Sequence, residues 1–364
     1  MSRRRLKSVI VVVVLLILAT AISVTIALQF NEQGSKQNSV DHRLNLQNNP
    51  SLIRAKAYHV RGDGKTDDTE EIRKAIDAAA AIQGTVYFGK GVYIVSSPIA
   101  IPESVSIVGA GKTQTTFKSI NKQIDNVFSL RGNQTIQDIG FDSKIGIWPM
   151  GDDITVNSCK FKSSVQGIQN ASTIHNLTVM NSIFENCGYG ILSNQQPSYD
   201  VKIINCQFRH NSGDDIEINA PSERWLIENC VFRDNTSKTK NAGFAVGAAI
   251  RAKQIVVKGC TFEKIAGQGV HAEDHADVVI INSTFRNNGY IDYPGSPEAD
   301  IAVLSQAKVI VEHCVFLKSD EEYSNLAIYN TDLPVGGTLT VRSSIFHNKK
   351  VNQPFESEGN KFLN

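Results

Sequence analysis

The chain has no charge excess of either sign. Its 37 Lys and Arg residues stand against 36 Asp and Glu, a formal net charge of +1 over 364 residues. A nucleic-acid-binding surface needs a basic imbalance, so no nucleic-acid partner is expected. Metal-site spacing is missing from the six cysteines: Cys159, Cys206, Cys230, Cys260 and Cys314 are scattered, and Cys187 stands apart from them. A phosphate loop is lacking too. Gly109-Ala110-Gly111-Lys112-Thr113 has Ser106 where the first glycine of that pattern belongs, and no long helix follows.

What is there is a repeat. The phrase apolar-x-apolar-x-polar-small-x-Phe runs through Ile154, Val156, Ser158, Cys159 and Phe161, then through Leu177, Val179, Asn181, Ser182 and Phe184. Further copies end at Phe208, Phe232, Phe262, Phe285, Phe316 and Phe346. The intervals between these phenylalanines are 23, 24, 24, 30, 23, 31 and 30 residues. Recurrence at this length signals a solenoid, in which stacking supplies the core that no single unit can bury. Alternation with period two inside each copy makes the units strands, not helices. The five repeat cysteines share a slot with Ser182, Ser283 and Ser344. A slot taking either residue is a small buried packing position, although a bridge between stacked coils, such as Cys206 with Cys230, is within reach.

Ahead of the repeats, residues 1–8 carry Arg3, Arg4, Arg5 and Lys7, followed by a charge-free apolar run from Val9 to Leu28. Residues 9–29 are therefore expected to form one transmembrane helix, with the basic end cytoplasmic and the remainder outside. The alternative is a cleaved signal peptide, with Ala19-Thr20-Ala21 as the processing site and a secreted product. Residues 30–53 read as a polar, flexible stalk, 54–350 as the solenoid and 351–364 as a C-terminal tail. At the solenoid's start, Thr66, Asp67 and Asp68 offer helix-capping oxygens, and Glu70 and Glu71 fall in the first turn. Ile72, Ala75, Ile76 and Ala79 then form one apolar helical face that ends at Gly84.

The stretch GDGKTDDT (Gly62–Thr69), the helix after it, GTVYF, GKGVYIVSSPI and VSIVGAG together resemble the N-terminal part of pectate-lyase-superfamily proteins. The resemblance implies an all-β fold, a right-handed parallel β-helix closed at its N-terminal end by the helix around Glu70–Ala81. In that setting Arg61-Gly62-Asp63 belongs to a turn and is not an adhesion tripeptide.

Each coil carries another strand a few residues after the Phe. Aligning Gly167-Ile168, Gly190-Ile191, Asp215-Ile216, Ala249-Ile250, Gly269-Val270 and Asp300-Ile301 generates outward columns. One column reads Gln169, Leu192, Glu217, Arg251, His271, Ala302, and the next reads Ala171, Asn194, Asn219, Lys253, Glu273, Leu304. Asp215 and Asp300 fall in the column before. Three adjacent coils thus present Asp215 and Glu217, Arg251 and Lys253, then His271 and Glu273, with Asp274 and His275 at the strand edge. In the resembled enzymes this outer face is the sugar cleft.

Asp215, Glu217, Arg251, Lys253 and His271 are accordingly the catalytic candidates, with Arg251 foremost. Asp214, Asn219, Glu273, Asp274 and His275 are the substrate-binding ones, and Asp215 and Glu217 are candidate Ca²⁺ ligands. NSGDDIEIN (Asn211–Asn219) is similar to the paired-aspartate strand of polygalacturonases. However, the preceding coil has no aspartate, and Ala248 stands where that family has histidine. A base that takes the proton α to a uronate carboxyl, beside a cation, fits these groups better. The expected function is action on an acidic polysaccharide at the cell membrane, by β-elimination or uronate epimerisation. A polygalacturonase-like hydrolase and a non-catalytic glycan-binding or structural surface solenoid are the alternatives.

Overall fold

A computed structural model describes residues 50–120, 124–238, 242–290, 298–320, 322–331, 336–352 and 355–363. The basic segment, the apolar run 9–29 and the stalk up to residue 49 lie outside the described residues. Among the described residues no helix is long and apolar enough to cross a membrane. Contacts divide the chain after Leu52, and the unit beginning at Ile53 carries the solenoid.

Each coil contributes three strands, all paired in parallel with those of the next coil. One sheet runs from Thr85–Phe88 and Ser106–Gly109 to Thr338–Arg342 and Glu356–Glu358. A second face carries the Phe residues, from Lys160–Gln169 through Ile183–Glu185 and Gln207–Arg209 to Lys361–Leu363. A third face is made of short strands, among them Tyr189–Asn194, Ile216–Asn219, Val246–Ala249 and Val270–Ala272.

The polar-small part of the repeat builds the corner between the first two faces. Asn181, Asn205, Asn229 and Asn282 turn it with φ between 52° and 54°, a region that asparagine tolerates better than most residues. The next residue relays hydrogen bonds between coils. Cys159 N–H donates to Ser182 Oγ at 3.0 Å, and Ser182 Oγ donates to Met180 O at 2.8 Å. Cys206 N–H reaches Cys230 Sγ at 3.4 Å, and that thiol contacts Glu228 O at 3.4 Å. Serine and cysteine do the same work there, which is why the slot takes either, and all six cysteines are free and buried.

The Phe residues form one interior ladder. Ten rings from Phe141 to Phe362 lie 4.5 to 5.0 Å apart, tilted by 12° or less. Phe141 and Phe362 extend the eight rungs read from the sequence. Lys361–Leu363 pairs with Ile345–His347, so coils continue through the segment expected to be a tail.

The capping helix α1 spans Thr69–Ala80 and buries Ile72, Ala75, Ile76 and Ala79. Its cap differs in detail from the expectation. Asp67 Oδ1 accepts the Thr69 N–H at 3.1 Å, whereas the Asp68 carboxylate turns back to accept from Arg61 N and Gly62 N at 2.7 and 3.0 Å. Gly62, at φ 61°, leaves room for the Tyr93 ring, which would lie 2.6 Å from a Cβ there. The GDGKTDDT motif is therefore occupied with closing the solenoid end.

Candidate active site

The third face carries the site, and its register is set by the strand pairs. Ile216 pairs with Val246 and Val246 with Val270, so the outward column after them reads Glu217, Gly247, His271. The sequence alignment placed Ile250 in that register, four residues too far along. The chain length added after Phe232 is spent before the third strand, not after it. Arg251 consequently sits at the corner beyond the strand, at φ 58°, its N–H donating to Asp274 O. Lys253 opens a strand of the first sheet, where its Nζ donates to His275 O and lies 3.2 Å from Asp277 Oδ2. Both charges find solvent there, and neither stands in the middle row of the third face. Asp274 and His275 occupy the same corner one coil on, with His275 Nδ1 3.2 Å from Asp274 Oδ1.

Asp215 and Asp300, expected outward, are both enclosed. Asp215 is 0% exposed, and Asn211 Nδ2 donates to its Oδ1 at 2.7 Å. Asp300 pairs with the equally buried Lys349 at 2.9 Å. Asp215 and the outward Glu217 therefore do not converge on one cation. Among the described residues no group of three His, Cys, Asp or Glu side chains is placed to hold a metal ion. The Ca²⁺ expectation has no such cluster behind it.

Burial pushes the Asp215 carboxyl up to about 8, partly opposed by Asn211 and Asn235. The folded state thus keeps a proton that the unfolded chain releases near 3.8. This contribution to stability is full below that value and is lost as pH rises through about 8. Relative to Asp215→Asn, the wild type should lose stability between pH 4 and 8, as read from urea melts across that range. Parallel curves for the two proteins would contradict the assignment.

Asp214 faces the other way. Its Oδ1 accepts from Gly243 N and Phe244 N at 2.6 and 2.9 Å, donors supplied by the long insertion after Phe232. Its Oδ2 would lie 3.5 Å from a Cβ on Gly247. Burial first, then the neighbouring Glu217 carboxylate, raises the Asp214 pKa well above the usual range. Burial and Glu273 raise Glu217 as well. One coil past Gly247, a buried position without a side chain, the His271 ring stacks on Phe244 with centroids 4.1 Å apart. Its Nδ1 lies 3.1 Å from Gln268 Oε1 and its Nε2 3.5 Å from Glu273 Oε2. The hydrogen bond to His271 lowers the Glu273 pKa despite its burial. Tyr189, one coil before Asp214, has its pKa raised by burial and by the two carboxyls beside it. Asn219 continues the same strand, 3.4 Å from Asn194 Oδ1.

The face thus brings together Asp214, Glu217, His271 and Glu273 of the expected set. It adds Tyr189, Phe244, Gly247 and Gln268. Tyr189, Asp214, Phe244 and Gln268 lie in one column two residues before the interior Ile or Val. Strand alternation would turn this column inward, so a period-two reading passes over it.

Residues 52–139 match the family model described as rhamnogalacturonase A/epimerase, pectate lyase-like. Residues 216–362 match the right-handed β-helix region model. The chain belongs to the pectate-lyase superfamily. Among superfamily relatives, alginate lyase 7 of Azotobacter vinelandii is 45% identical over 74 residues, covering 18% of this chain and 9% of that protein. The chain spans less than a tenth of the length of the curated relatives it matches. In solved structures, the A-module of the A. vinelandii mannuronan C-5 epimerase AlgE6 aligns over 86% of this chain and 99% of its own. Its TM-score is 0.55 at 15% identity. The Streptococcus pneumoniae surface protein and adhesin PfbA aligns over 86% of this chain and 97% of its own, with TM-score 0.60 and 15% identity. At such identity these likenesses show the superfamily fold.

Proposed function

We propose that the third face acts on an acidic polysaccharide by removing the proton α to a uronate carboxyl, the step shared by β-elimination and epimerisation. The observation that supports this is the row at Gly247, a buried position without a side chain, with the raised Asp214 and Glu217 carboxyls on one side and His271 on the other. An ionised Asp214 would repel a uronate. In its neutral form it donates a hydrogen bond from Oδ2 to the substrate carboxylate and stabilises the charge that develops there. No lysine or arginine is needed for that role, which answers the displacement of Arg251 and Lys253. His271, stacked on Phe244 and donating from Nδ1 to Gln268 Oε1 in its neutral form, takes the proton at Nε2, which then donates to Glu273 Oε2. In elimination the C–O bond β to the carboxyl then breaks, leaving a double bond, and a proton passes to the departing oxygen. In epimerisation a proton returns to the opposite face of the same carbon. Alginate lyase and mannuronan epimerase, which handle uronate chains by name, support the substrate class.

One feature favours hydrolysis as the rival. Glu217 is raised while Glu273 is lowered, the separation that an acid and base pair requires. Incubation with polyuronates separates the outcomes. Unsaturated product by ultraviolet absorbance, or inversion at the carboxyl-bearing carbon by NMR, is expected. New reducing ends with neither signal would identify a hydrolase. Retardation in a polysaccharide gel without any product would leave a binding protein.

A further inference from the structure

The third face does not end at the catalytic rows. Phe128 pairs with Ile147 and Ser129 with Trp148, while Ile147 pairs with Ile168. Trp148 therefore occupies the outward column that continues through Gln169 and Leu192 to Glu217. Three coil steps of about 4.8 Å place it about 14 Å from Glu217. Ile147 and Pro149 on either side are buried, whereas Trp148 is partly exposed. Arg131 and Met150 follow two residues after the column positions of Ser129 and Trp148, further along the same coils. They line a cavity of about 440 Å³ together with Glu103, Asn133, Asp152 and Asp153. The two aspartates are engaged: Asp152 lies 3.2 Å from His175 Nδ1, and Asp153 accepts from Asn176 Nδ2 at 2.9 Å. Arg131 is exposed, and among the described residues its guanidinium makes no hydrogen bond or ion pair.

We propose that Trp148 and Arg131 form a distal subsite for one acidic sugar unit of a polysaccharide chain whose reacting unit lies over Gly247. A pyranose presents an apolar C–H face to the indole and keeps its hydroxyls in water, the match that amphipathic rings favour. The guanidinium fork receives the uronate carboxylate with two parallel hydrogen bonds, which a neutral sugar does not offer. The cavity is of the size that holds such a ligand, and Asn133 and Glu103 meet hydroxyls at its rim. The subsite rests on the reading of the face as a polyuronate groove. It adds a consequence, namely that substrates long enough to span four coils bind better than short ones.

Intrinsic fluorescence tests this, because the chain has two tryptophans and Trp225 is enclosed at 2% exposure. Titration of the full-length protein with polyuronate oligomers of increasing length should change the emission only for the long ones. A neutral oligosaccharide of equal length should not change it. Arg131→Ala, at an exposed position, and Trp148→Ala should each raise KM for long oligomers about tenfold with kcat unchanged. Both should leave the shortest substrate unaffected. Turnover with the same KM in wild type and both variants would overturn the subsite while the chemistry stands. Length-dependent emission changes that need Arg131, without turnover, would keep the subsite and overturn the chemistry. Equal responses to neutral and acidic oligomers would overturn the role of Arg131, and no response to any polyuronate would overturn both.

Discussion

Phe232→Ala is expected to destabilise the solenoid by about 3–5 kcal/mol, the range for removing a large ring from a core that collapses only partly. Phe232 is fully buried, with Phe208 and Phe262 stacked 4.9 and 5.0 Å away on its two faces. The backbone spacing of the coils, about 4.8 Å, is also the spacing of the stacked rings, so neither neighbour can close the gap without breaking strand pairs. Each coil is stabilised mainly by its neighbours, so a weakened central rung divides the array into two blocks. Phe362 offers the contrast. It ends the ladder at 52% exposure and stacks on one side only, so Phe362→Ala should cost about 1 kcal/mol or less. Equilibrium urea unfolding of both variants checks this. Equal losses would mean that the ladder is not a nearest-neighbour core.

The same ladder explains why the fold was legible. A Phe every 23 to 31 residues, preceded by alternating apolar positions, fixes strand, face and register at once, because a slip of one residue would expose the ring. The third face has no such marker in the coil of Val246. Its strand, Val246-Gly247-Ala248-Ala249, is built of small residues whose alternation carries little signal, and Ile250 next to it looks like the interior position. Ile250 is instead 40% exposed at the corner. The solvent requirement of Arg251 and Lys253 could not correct the slip, since corner and groove satisfy it equally. Asp214 illustrates a second limit. Its protonation depends on burial and on the Glu217 carboxylate, while its placement depends on the N–H groups of Gly243 and Phe244, some thirty residues away, which favour the charged form. No local pattern encodes either. Asp215 shows the converse, a carboxyl within the polar stretch Asn211–Asp214 whose side chain is enclosed against Asn211.

That dependence yields the sharpest test of the chemistry. Asp214→Ala should lower kcat on a polyuronate by on the order of 10²–10³, the usual loss on removing one donor to a developing oxyanion. Asp214→Asn should stay within about tenfold of wild type, a loss of up to about 1.4 kcal/mol. Its carbonyl oxygen still accepts from Gly243 and Phe244, and its amide N–H takes the place of the neutral carboxyl at Oδ2. The wild type needs the protonated acid, which is present below the raised Asp214 pKa and disappears as pH climbs through it. Wild-type kcat should therefore fall on the alkaline side, and Asp214→Asn should flatten that fall because an amide does not titrate. A hydrolytic Asp214 behaves differently: as the acid that protonates a leaving oxygen, it cannot be replaced by an amide. Loss of all activity in Asp214→Asn, with the fold intact by circular dichroism, would thus move Asp214 from carboxylate recognition to proton delivery. An alkaline limb unchanged in that variant would assign the titration to another group, with Glu217 and Tyr189 the nearest on the same face.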